Sequence, residues 1–232
     1  MEKDGKELLK VYDLTGSLVG IRERKEYYDE IKKQYEEKGN ITTQIKSIRL
    51  ILMNTNGKIY LQKRSKIKNQ NSGLYDKTVG GHVTKDYSSD LTIVKECSEE
   101  LGFPAAVLST EEFKQALIST NLAIIGIFRE VDYIPNFESI RINKEKKYFI
   151  QPQMTYMYIG YYDGPIKFID GECSGIEVFS LDELQKEIKD NPEKYTEDIK
   201  FMIDRYAKYL IPIEELLNKK WIQKREILNG WK

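Results

Sequence analysis

Histidine and cysteine are scarce in this chain. His82 is the only histidine, and the two cysteines, Cys97 and Cys173, lie too far apart to form a CxxC motif. A single histidine excludes a metal enzyme built on a histidine cluster, and the cysteine spacing excludes a zinc site of the CxxC type. Two isolated cysteines are typical of a reducing compartment. We therefore expect a cytoplasmic protein.

The chain also lacks an excess of charge and a long apolar run. Its 37 Lys and Arg residues balance 37 Asp and Glu residues, whereas a general nucleic-acid binder carries a basic surplus. The most apolar run, residues 122–128, is far shorter than the roughly 20 residues that cross a bilayer. The charged residues 1–10 contain no apolar targeting segment. We expect neither a nucleic acid nor a membrane as partner.

The apolar patterning predicts a mixture of strands and helices. Ile45–Met53 is an apolar strand with Lys58–Arg64 as its return strand, and Gly39 ends a charged helix over 25–38. Capping boxes at 109–112 and 180–183 begin two further helices. The remaining predicted strands are 122–133, 154–162, 166–169 and 176–179, with a polar excursion over 134–150, and the remaining helices are 91–101, 196–210 and 213–228.

Because the elements do not alternate strictly as βαβ units, the pattern favours an α/β/α sandwich around a mixed sheet. We expect one domain over 1–232, without internal repeats. It would comprise an N-terminal extension over 1–44 with extra strands and a helix, a core over 45–185, and C-terminal helices over 186–232.

Three acidic residues stand at helical spacing in the predicted helix 91–101. Glu96, Glu99 and Glu100 share one face, opposite an apolar stripe formed by Leu91, Val94, Cys97 and Leu101. Each like-charge pair costs about 0.2–0.5 kcal/mol, which Lys95 partly offsets through an i,i+4 pair with Glu99. A hard divalent cation such as Mg²⁺ would turn this repulsion into binding. The same spacing also fits a solvated acidic face.

A glycine pair, Gly80 and Gly81, precedes this helix at the end of a short strand. Glycines permit close approach of a ligand to the backbone, and a carbonyl there can join a metal shell. The pair is equally typical of a bulge or a tight turn. We expect His82, which follows it, to support the loop by a hydrogen bond.

Together these residues resemble the Nudix box, G-x5-E-x7-R-E-U-x-E-E-x-G-U, in which U is apolar. Gly81 begins the match, and Glu96, Glu99, Glu100 and Gly102 follow at the family's spacing. Two positions depart from the motif, since Tyr87 stands where the family has Glu and Lys95 where it has Arg.

The flanking segments extend the resemblance over about residues 7–210. Residues 61–65 are similar to the family's LLQRRS strand, 72–83 to its PGKWDVSAGGHV segment, and 172–184 to its closing region. The match is nearest to the branch related to isopentenyl-diphosphate isomerase, in which a Val-Tyr-Asp segment begins the domain.

The resemblance implies hydrolysis of a diphosphate linkage in a nucleoside diphosphate derivative or a similar organic diphosphate, with Mg²⁺ or Mn²⁺ as cofactor. It implies that Glu96, Glu99, Glu100 and the Gly81 carbonyl hold the metal. The general base would be Glu100, Glu99 or Glu172. Arg64 is the candidate phosphate contact in preference to Lys63, and Tyr75 is a candidate for lining the substrate pocket.

Two alternatives compete with this interpretation. An isomerase of the related branch would need a cysteine at the position of Gly80 and several histidines, which this chain lacks. A catalytically degenerate Nudix module would bind a nucleotide or partner without turnover, as Tyr87 and Lys95 allow. The partner expected is a small-molecule diphosphate, and a homodimer is left open.

Overall fold

An 11-residue strand, Thr43–Met53, is the centre of the fold in the computed structural model, which describes residues 6–167 and 173–218. Its residues from Ile48 onward are buried, as expected for a strand covered on both faces. The strands are β1 (Leu8–Asp13), β2 (Leu18–Glu23), β3 (Thr43–Met53), β4 (Ile59–Arg64), β5 (Tyr75–Asp76), β6 (Val79–His82), β7 (Ala105–Val107), β8 (Gly126–Ile142), β9 (Tyr148–Tyr161) and β10 (Cys173–Phe179).

These strands form one mixed sheet in the order β10-β4-β3-β9-β8-β7, with β3 and β9 parallel. The edge of β3 that faces away from β9 pairs with β1 and β6 as well as with β4. The helices are α1 (Arg24–Lys38), α2 (Ser89–Glu96), α3 (Thr110–Ser119), α4 (Leu181–Asp190), α5 (Glu197–Tyr206) and α6 (Ile213–Asn218). Short 3₁₀ turns occupy Pro192–Lys194 and Ala207–Tyr209.

Helices cover both faces of the sheet because β3 is apolar on both sides. Leu50 and Leu52 pack in the cluster that contains Ile93 of α2. Ile51 and Met53 pack on the opposite side, against a cluster that takes Phe113 and Leu117 from α3, Leu184 from α4, and Ile199, Met202 and Ile203 from α5. The predicted α/β/α sandwich around a mixed sheet is confirmed.

The N-terminal strands and α1 form a separate apolar cluster at the start of β3. Leu9, Tyr27 and Ile31 pack there against Ile45. Gly39 ends α1 with φ 71°, a left-handed conformation that glycine adopts without steric cost. The predicted N-terminal strands, the helix that follows them and its end at Gly39 are confirmed. Both predicted capping boxes are present with their reciprocal hydrogen bonds.

Several predicted elements need correction. The excursion over 134–150 is mostly strand, because β8 continues to Ile142 and pairs with β9 through bulges between 130 and 137. The predicted strand over 166–169 was wrong at 166–167, which have no strand structure, and its remainder lies outside the described residues. The helix predicted over 213–228 is seen as α6, and 219–228 also lie outside them.

None of the helices in residues 6–167 and 173–218 combines the length and apolarity needed to cross a bilayer.

Candidate active site

A cavity of about 730 Å³ lies between β6, the C-terminal end of α2 and the N-terminal segment. Its lining is densely charged and includes residues from β3, β8 and β9. The cationic residues are Lys6, Arg24, Arg49, Arg64, Lys68, Lys77, Lys85, Lys95 and Arg141, and the acidic ones are Glu7, Asp86, Glu96, Glu99 and Glu100. A cavity with cations and carboxylates on its walls suits a polyanion bound together with a metal cation.

Gly81 and Glu96 meet at the wall of this cavity. Antiparallel pairing of β6 with β3 places Gly81 opposite Ile48. A Cβ atom added to Gly81 would lie only 2.7 Å from Glu96 Oε1 and 2.9 Å from Glu96 Cδ. A side chain at position 81 would have to displace the Glu96 carboxyl group from this space, whereas glycine leaves it free for that group.

The acidic residues lie where the helix changes geometry. α2 ends at Glu96, and Cys97–Leu101 continue it as one turn of π-helix that Gly102 ends with φ 75°. A π-turn holds more residues than an α-turn, so the residues after it do not follow a spacing of 100° per residue. Glu100 is consequently buried, with 8% of its surface exposed, while Glu99 is half-buried.

The predicted arrangement of this helix was wrong in one respect, because Leu91, predicted in the buried stripe, is 57% exposed. Ile93 is buried in its place, together with Cys97 and Leu101. All three glutamates nevertheless line the cavity, which argues against a merely solvated acidic face.

The environment of Glu96 disfavours its negative charge. Its pKa is raised to about 7, chiefly by burial and with smaller contributions from the charges of Glu99 and Glu7, while Lys95 and Arg24 oppose the shift. Glu99 Oε2 lies 3.6 Å from Lys95 Nζ, which confirms the predicted i,i+4 pair. A desolvated carboxylate is stabilised when a cation binds beside it.

The segment that follows Gly81 is held in place by the N-terminal extension. His82 Nε2 lies 2.9 Å from the Tyr28 hydroxyl of α1, which confirms the predicted hydrogen bond. Desolvation, with the nearby charges of Arg24 and Arg141, holds the pKa of His82 well below its usual value, so the imidazole is neutral. The backbone N–H of Lys85 donates to the Leu8 carbonyl and joins the two segments further.

A buried network of ion pairs holds several of the cationic residues that line the cavity. Arg49, whose side chain is 2% exposed, bonds Asp198 Oδ2 with Nε at 2.9 Å and Nη2 at 2.8 Å. Lys77 Nζ lies 3.0 Å from Asp76 Oδ1 and 3.4 Å from Asp198 Oδ2. Arg64 Nη1 contacts Asp76 Oδ2 at 3.3 Å, so the cations on this wall are partly neutralised from behind.

The structure divides the candidate residues into those at the cavity and those elsewhere. Arg64 lines the cavity, whereas its neighbour Lys63 bonds Tyr75, as expected for successive strand residues. Tyr75 is not part of the lining. Its ring packs against Phe179 and Tyr195, and its hydroxyl donates to Glu177. Glu172 lies outside the described residues.

Sequence reasoning missed the residues that reach the cavity from distant segments. Arg49, Arg141 and Gln153 line it from β3, β8 and β9. A charged residue inside the apolar run 48–53 was the available signal for Arg49, since such a residue needs a buried partner. Nothing in the sequence pointed to Asp198 as that partner, 149 residues away.

Within residues 6–167 and 173–218, no three histidine, cysteine, aspartate or glutamate side chains converge as a preassembled metal centre. Glu99 is directed toward Lys95, and side-chain rotation would be needed to bring the three carboxylates onto one ion. Their chemistry nevertheless fits, because hard divalent cations take carboxylate and carbonyl oxygens.

Comparisons with solved structures give remote similarities. DR0079 from Deinococcus radiodurans superposes with a TM-score of 0.58 at 17% identity, over 86% of this chain and 98% of that one. The bifunctional NMN adenylyltransferase/ADP ribose pyrophosphatase of Francisella tularensis, complexed with AMP and Mn, gives 0.48 at 15% identity over 80% and 47%. The Nudix domain of Shewanella oneidensis NrtR, complexed with ADP ribose, gives 0.46 at 12% identity over 77% and 98%.

No curated protein matches the chain. At 17% identity the similarity to DR0079 shows the fold alone. The predicted kinship with the isopentenyl-diphosphate isomerase branch stays a prediction. The family itself rests on a model of the NUDIX domain that matches residues 43–199, more than half of the chain. The chain therefore belongs to the Nudix family of hydrolases, enzymes that act on pyrophosphate bonds.

Proposed function

We propose that this Nudix enzyme is a hydrolase dependent on Mg²⁺ or Mn²⁺ that cleaves the diphosphate linkage of a nucleoside diphosphate derivative or a similar organic diphosphate. The observation that carries the proposal is the contact of Gly81 with the Glu96 carboxyl group, in a cavity whose lining also includes Glu99 and Glu100. The cationic part of the cavity wall supports an anionic substrate.

Glu96, Glu99, Glu100 and the Gly81 carbonyl are the groups we propose to hold the metal. When bound, the cation neutralises the diphosphate and lowers the pKa of an attacking water. Burial of Glu96 supports this assignment, because the desolvated carboxylate gains most from a neighbouring cation.

Proton transfer and substrate binding are assigned to this chain's own side chains. Glu100 or Glu99 takes the proton from the attacking water, and Glu172 is the further candidate for this role. Arg64 binds a phosphate oxygen from the cationic wall. Tyr75 is not carried into the proposal, because its side chain packs in the core.

The domain organisation and the location of the protein are also part of the proposal. Residues 6–8 and Arg24 line the same cavity as the box, which supports a single domain that includes the N-terminal extension. Cys97 and Cys173 are free thiols, which supports a cytoplasmic location.

The test is phosphate release from a panel of nucleoside diphosphate derivatives and isoprenyl diphosphates, with Mg²⁺, Mn²⁺ or EDTA, and an added phosphatase to convert monophosphate products. Wild type is compared with Glu99→Gln and Glu100→Gln, and with Glu111→Gln as an exposed control on α3. We expect metal-dependent turnover that falls by about 10²-fold or more in the first two variants only.

A degenerate module that binds without turnover is the second candidate, and the departures at Tyr87 and Lys95 favour it. It predicts no product from any substrate, even where nucleotide binding is measurable by calorimetry. That result would overturn the proposed hydrolase. Turnover unchanged in both Gln variants would overturn the assignment of the two glutamates.

A further inference from the structure

Two loops that follow different strands are joined beside the cavity. One is the loop over 65–72, after β4, and the other is the turn over 143–147, between β8 and β9. The Asn71 N–H donates to the Ile142 carbonyl at 2.8 Å, and the Ile142 N–H donates to Asn71 Oδ1 at 2.9 Å. Lys68 of the first loop also lines the cavity. The two loops therefore form one continuous surface at its rim.

The exposed charge of this surface is almost entirely positive. Glu145 is the one acidic residue in the sequence of either loop. Four lysine side chains are exposed there, and we call them the basic surface: Lys66, Lys144, Lys146 and Lys147. None of the four forms an ion pair with a carboxylate of residues 6–167 and 173–218. The balanced charge of the whole chain conceals this local surplus.

An isoleucine lies within the basic surface. Ile67 stands between Lys66 and Lys68 and is 84% exposed, the largest fraction among the large apolar residues that the structure describes. Lys144 Nζ of the second loop lies 3.5 Å from the Ile67 carbonyl oxygen. Tyr148, at the start of β9, is 62% exposed. A lone exposed isoleucine is ordinary, but one flanked by lysines is typical of a segment that enters a lipid headgroup layer.

The combination of lysines with Ile67 favours an anionic bilayer over other partners. Lysine side chains are attracted to the negative surface potential of anionic lipids, and an aliphatic side chain gains by leaving water for the boundary between headgroups and acyl chains. Single-stranded nucleic acid favours aromatic rings on which bases stack, and isoleucine has no such face. A second copy of this surface would bring like charges together.

We propose that the basic surface and Ile67 dock the protein reversibly on a membrane that contains anionic lipids. This departs from the expectation, drawn from overall composition, that a membrane is not a partner. It concerns attachment to one side of a bilayer and does not depend on the proposed function. Because Lys68 belongs both to the first loop and to the cavity lining, docking would bring the cavity close to the lipid surface.

The first experiment measures co-sedimentation of the protein with vesicles of phosphatidylcholine alone and of phosphatidylcholine with about 30% phosphatidylserine. We expect binding to the anionic vesicles only. Binding should weaken as the salt concentration rises from about 0.1 M to about 0.5 M, because the attraction of the lysines is screened.

The lysines are tested by combining Lys66→Gln, Lys146→Gln and Lys147→Gln. This variant keeps Lys144, whose bond to Ile67 joins the loops. Its affinity for anionic vesicles should fall about tenfold or more. The control removes the same charge from exposed lysines of the C-terminal helices and should bind as wild type does: it combines Lys186→Gln, Lys189→Gln and Lys208→Gln.

Ile67→Ser tests the apolar contribution separately from the charge. Its affinity for the anionic vesicles should fall about fivefold. Ile118→Ser on α3, at a position that is 66% exposed, is the matched control and should bind as wild type does. All the substituted side chains are exposed, and circular dichroism of each variant checks that it is folded.

Equal sedimentation of wild type with both kinds of vesicle would overturn the proposal, as would equal losses in the two lysine variants. A single-stranded oligonucleotide is the further probe. If it binds where vesicles do not, and the loop lysine variant removes that binding while Ile67→Ser keeps it, the surface belongs to nucleic acid instead. None of these measurements involves turnover, so docking and the proposed hydrolase can each fail while the other is found.

Discussion

Lys95 Nζ lies 5.5 Å from the centre of the Tyr87 ring and 3.6 Å from Glu99 Oε2. Tyr87 and Lys95 are the two positions at which the chain departs from the Nudix box, and the structure brings their side chains into contact. An attraction between a cation and a ring face thus joins positions where the family has opposite charges. The contact ties the loop after Gly81 to the helix that carries the glutamates.

This contact can be measured by a double-mutant cycle of Tyr87→Ala and Lys95→Met in urea unfolding. We expect a coupling free energy of about 0.5–1 kcal/mol, the usual size for an exposed pair of this kind. Tyr87→Phe keeps the ring and should retain the coupling. Lys95→Met combined with Tyr148→Ala, at the start of β9, is the control pair and should show no coupling. A coupling near zero for Tyr87→Ala and Lys95→Met would contradict the finding.

Gly81→Ala tests the contact between Gly81 and Glu96. The new Cβ would meet Glu96 Oε1 at 2.7 Å, so the carboxyl group must move away from the position proposed for metal binding. We expect kcat/KM to fall by about 10²-fold, the usual consequence of displacing a reacting group by an ångström. Gly175→Ala, whose Cβ meets nothing within 4 Å, is the control. Equal activity in both variants would contradict the prediction.

Asp198→Asn tests the buried network behind the cationic wall. Burial alone would raise the pKa of Asp198, but the charges of Arg49 and Lys77 outweigh it and hold the pKa well below its usual value. Removing one partner of such a pair should lower the free energy of unfolding by about 3–5 kcal/mol at pH 7. Asp204→Asn, an exposed change on the same helix, should have little effect.

The pH dependence of the same comparison follows from the sign of the pKa shift. A carboxyl group whose pKa is lower in the folded state stabilises the fold above its unfolded pKa, and this contribution is lost as pH falls below that value. The difference between wild type and Asp198→Asn should therefore narrow below the ordinary aspartate pKa of 3.8. A difference that stays constant down to pH 2 would contradict the assignment.

Tyr75→Phe separates a structural tyrosine from a substrate contact. The hydroxyl group bonds Lys63 and Glu177 outside the cavity lining, so its loss should lower the free energy of unfolding by about 1 kcal/mol and leave KM unchanged. Arg64→Ala, by contrast, should raise KM for the diphosphate. A raised KM in Tyr75→Phe would show that the hydroxyl group reaches the substrate after all.

Local signals were sufficient for much of the fold. The apolar run of β3, the Gly39 stop and the two capping boxes act over a few residues, and the structure confirms each. Residues 134–150 were predicted as a polar excursion that is in part strand, and the full length of β8 was not predicted because Pro135 and Asn136 interrupt it, the latter with φ 56°. Those residues indicate a loop, and only pairing with β9 makes them a bulge within a continuous strand.

In the candidate site, too, the residues that are close together in the sequence could be predicted and the distant ones could not. The box residues follow one another closely in sequence, so their spacing was enough to bring Gly81 and the glutamates together. The burial of Glu100 was not foreseen, because nothing in the residue pattern signals a π-turn. Arg141 and Gln153 reach the cavity only through the β8–β9 hairpin, and that pairing is not readable from local propensity.

β3 bonds to neighbours along both of its edges. Along one edge, β9 pairs with β3 from Ile45 to Met53. Along the other edge, β3 pairs in turn with β1, β6 and β4. Amide protons in such a strand exchange with deuterium only through global unfolding. Ser47 and Arg49 therefore belong to the slowest-exchanging backbone of the molecule, and local opening of the loops around the cavity leaves its floor in place.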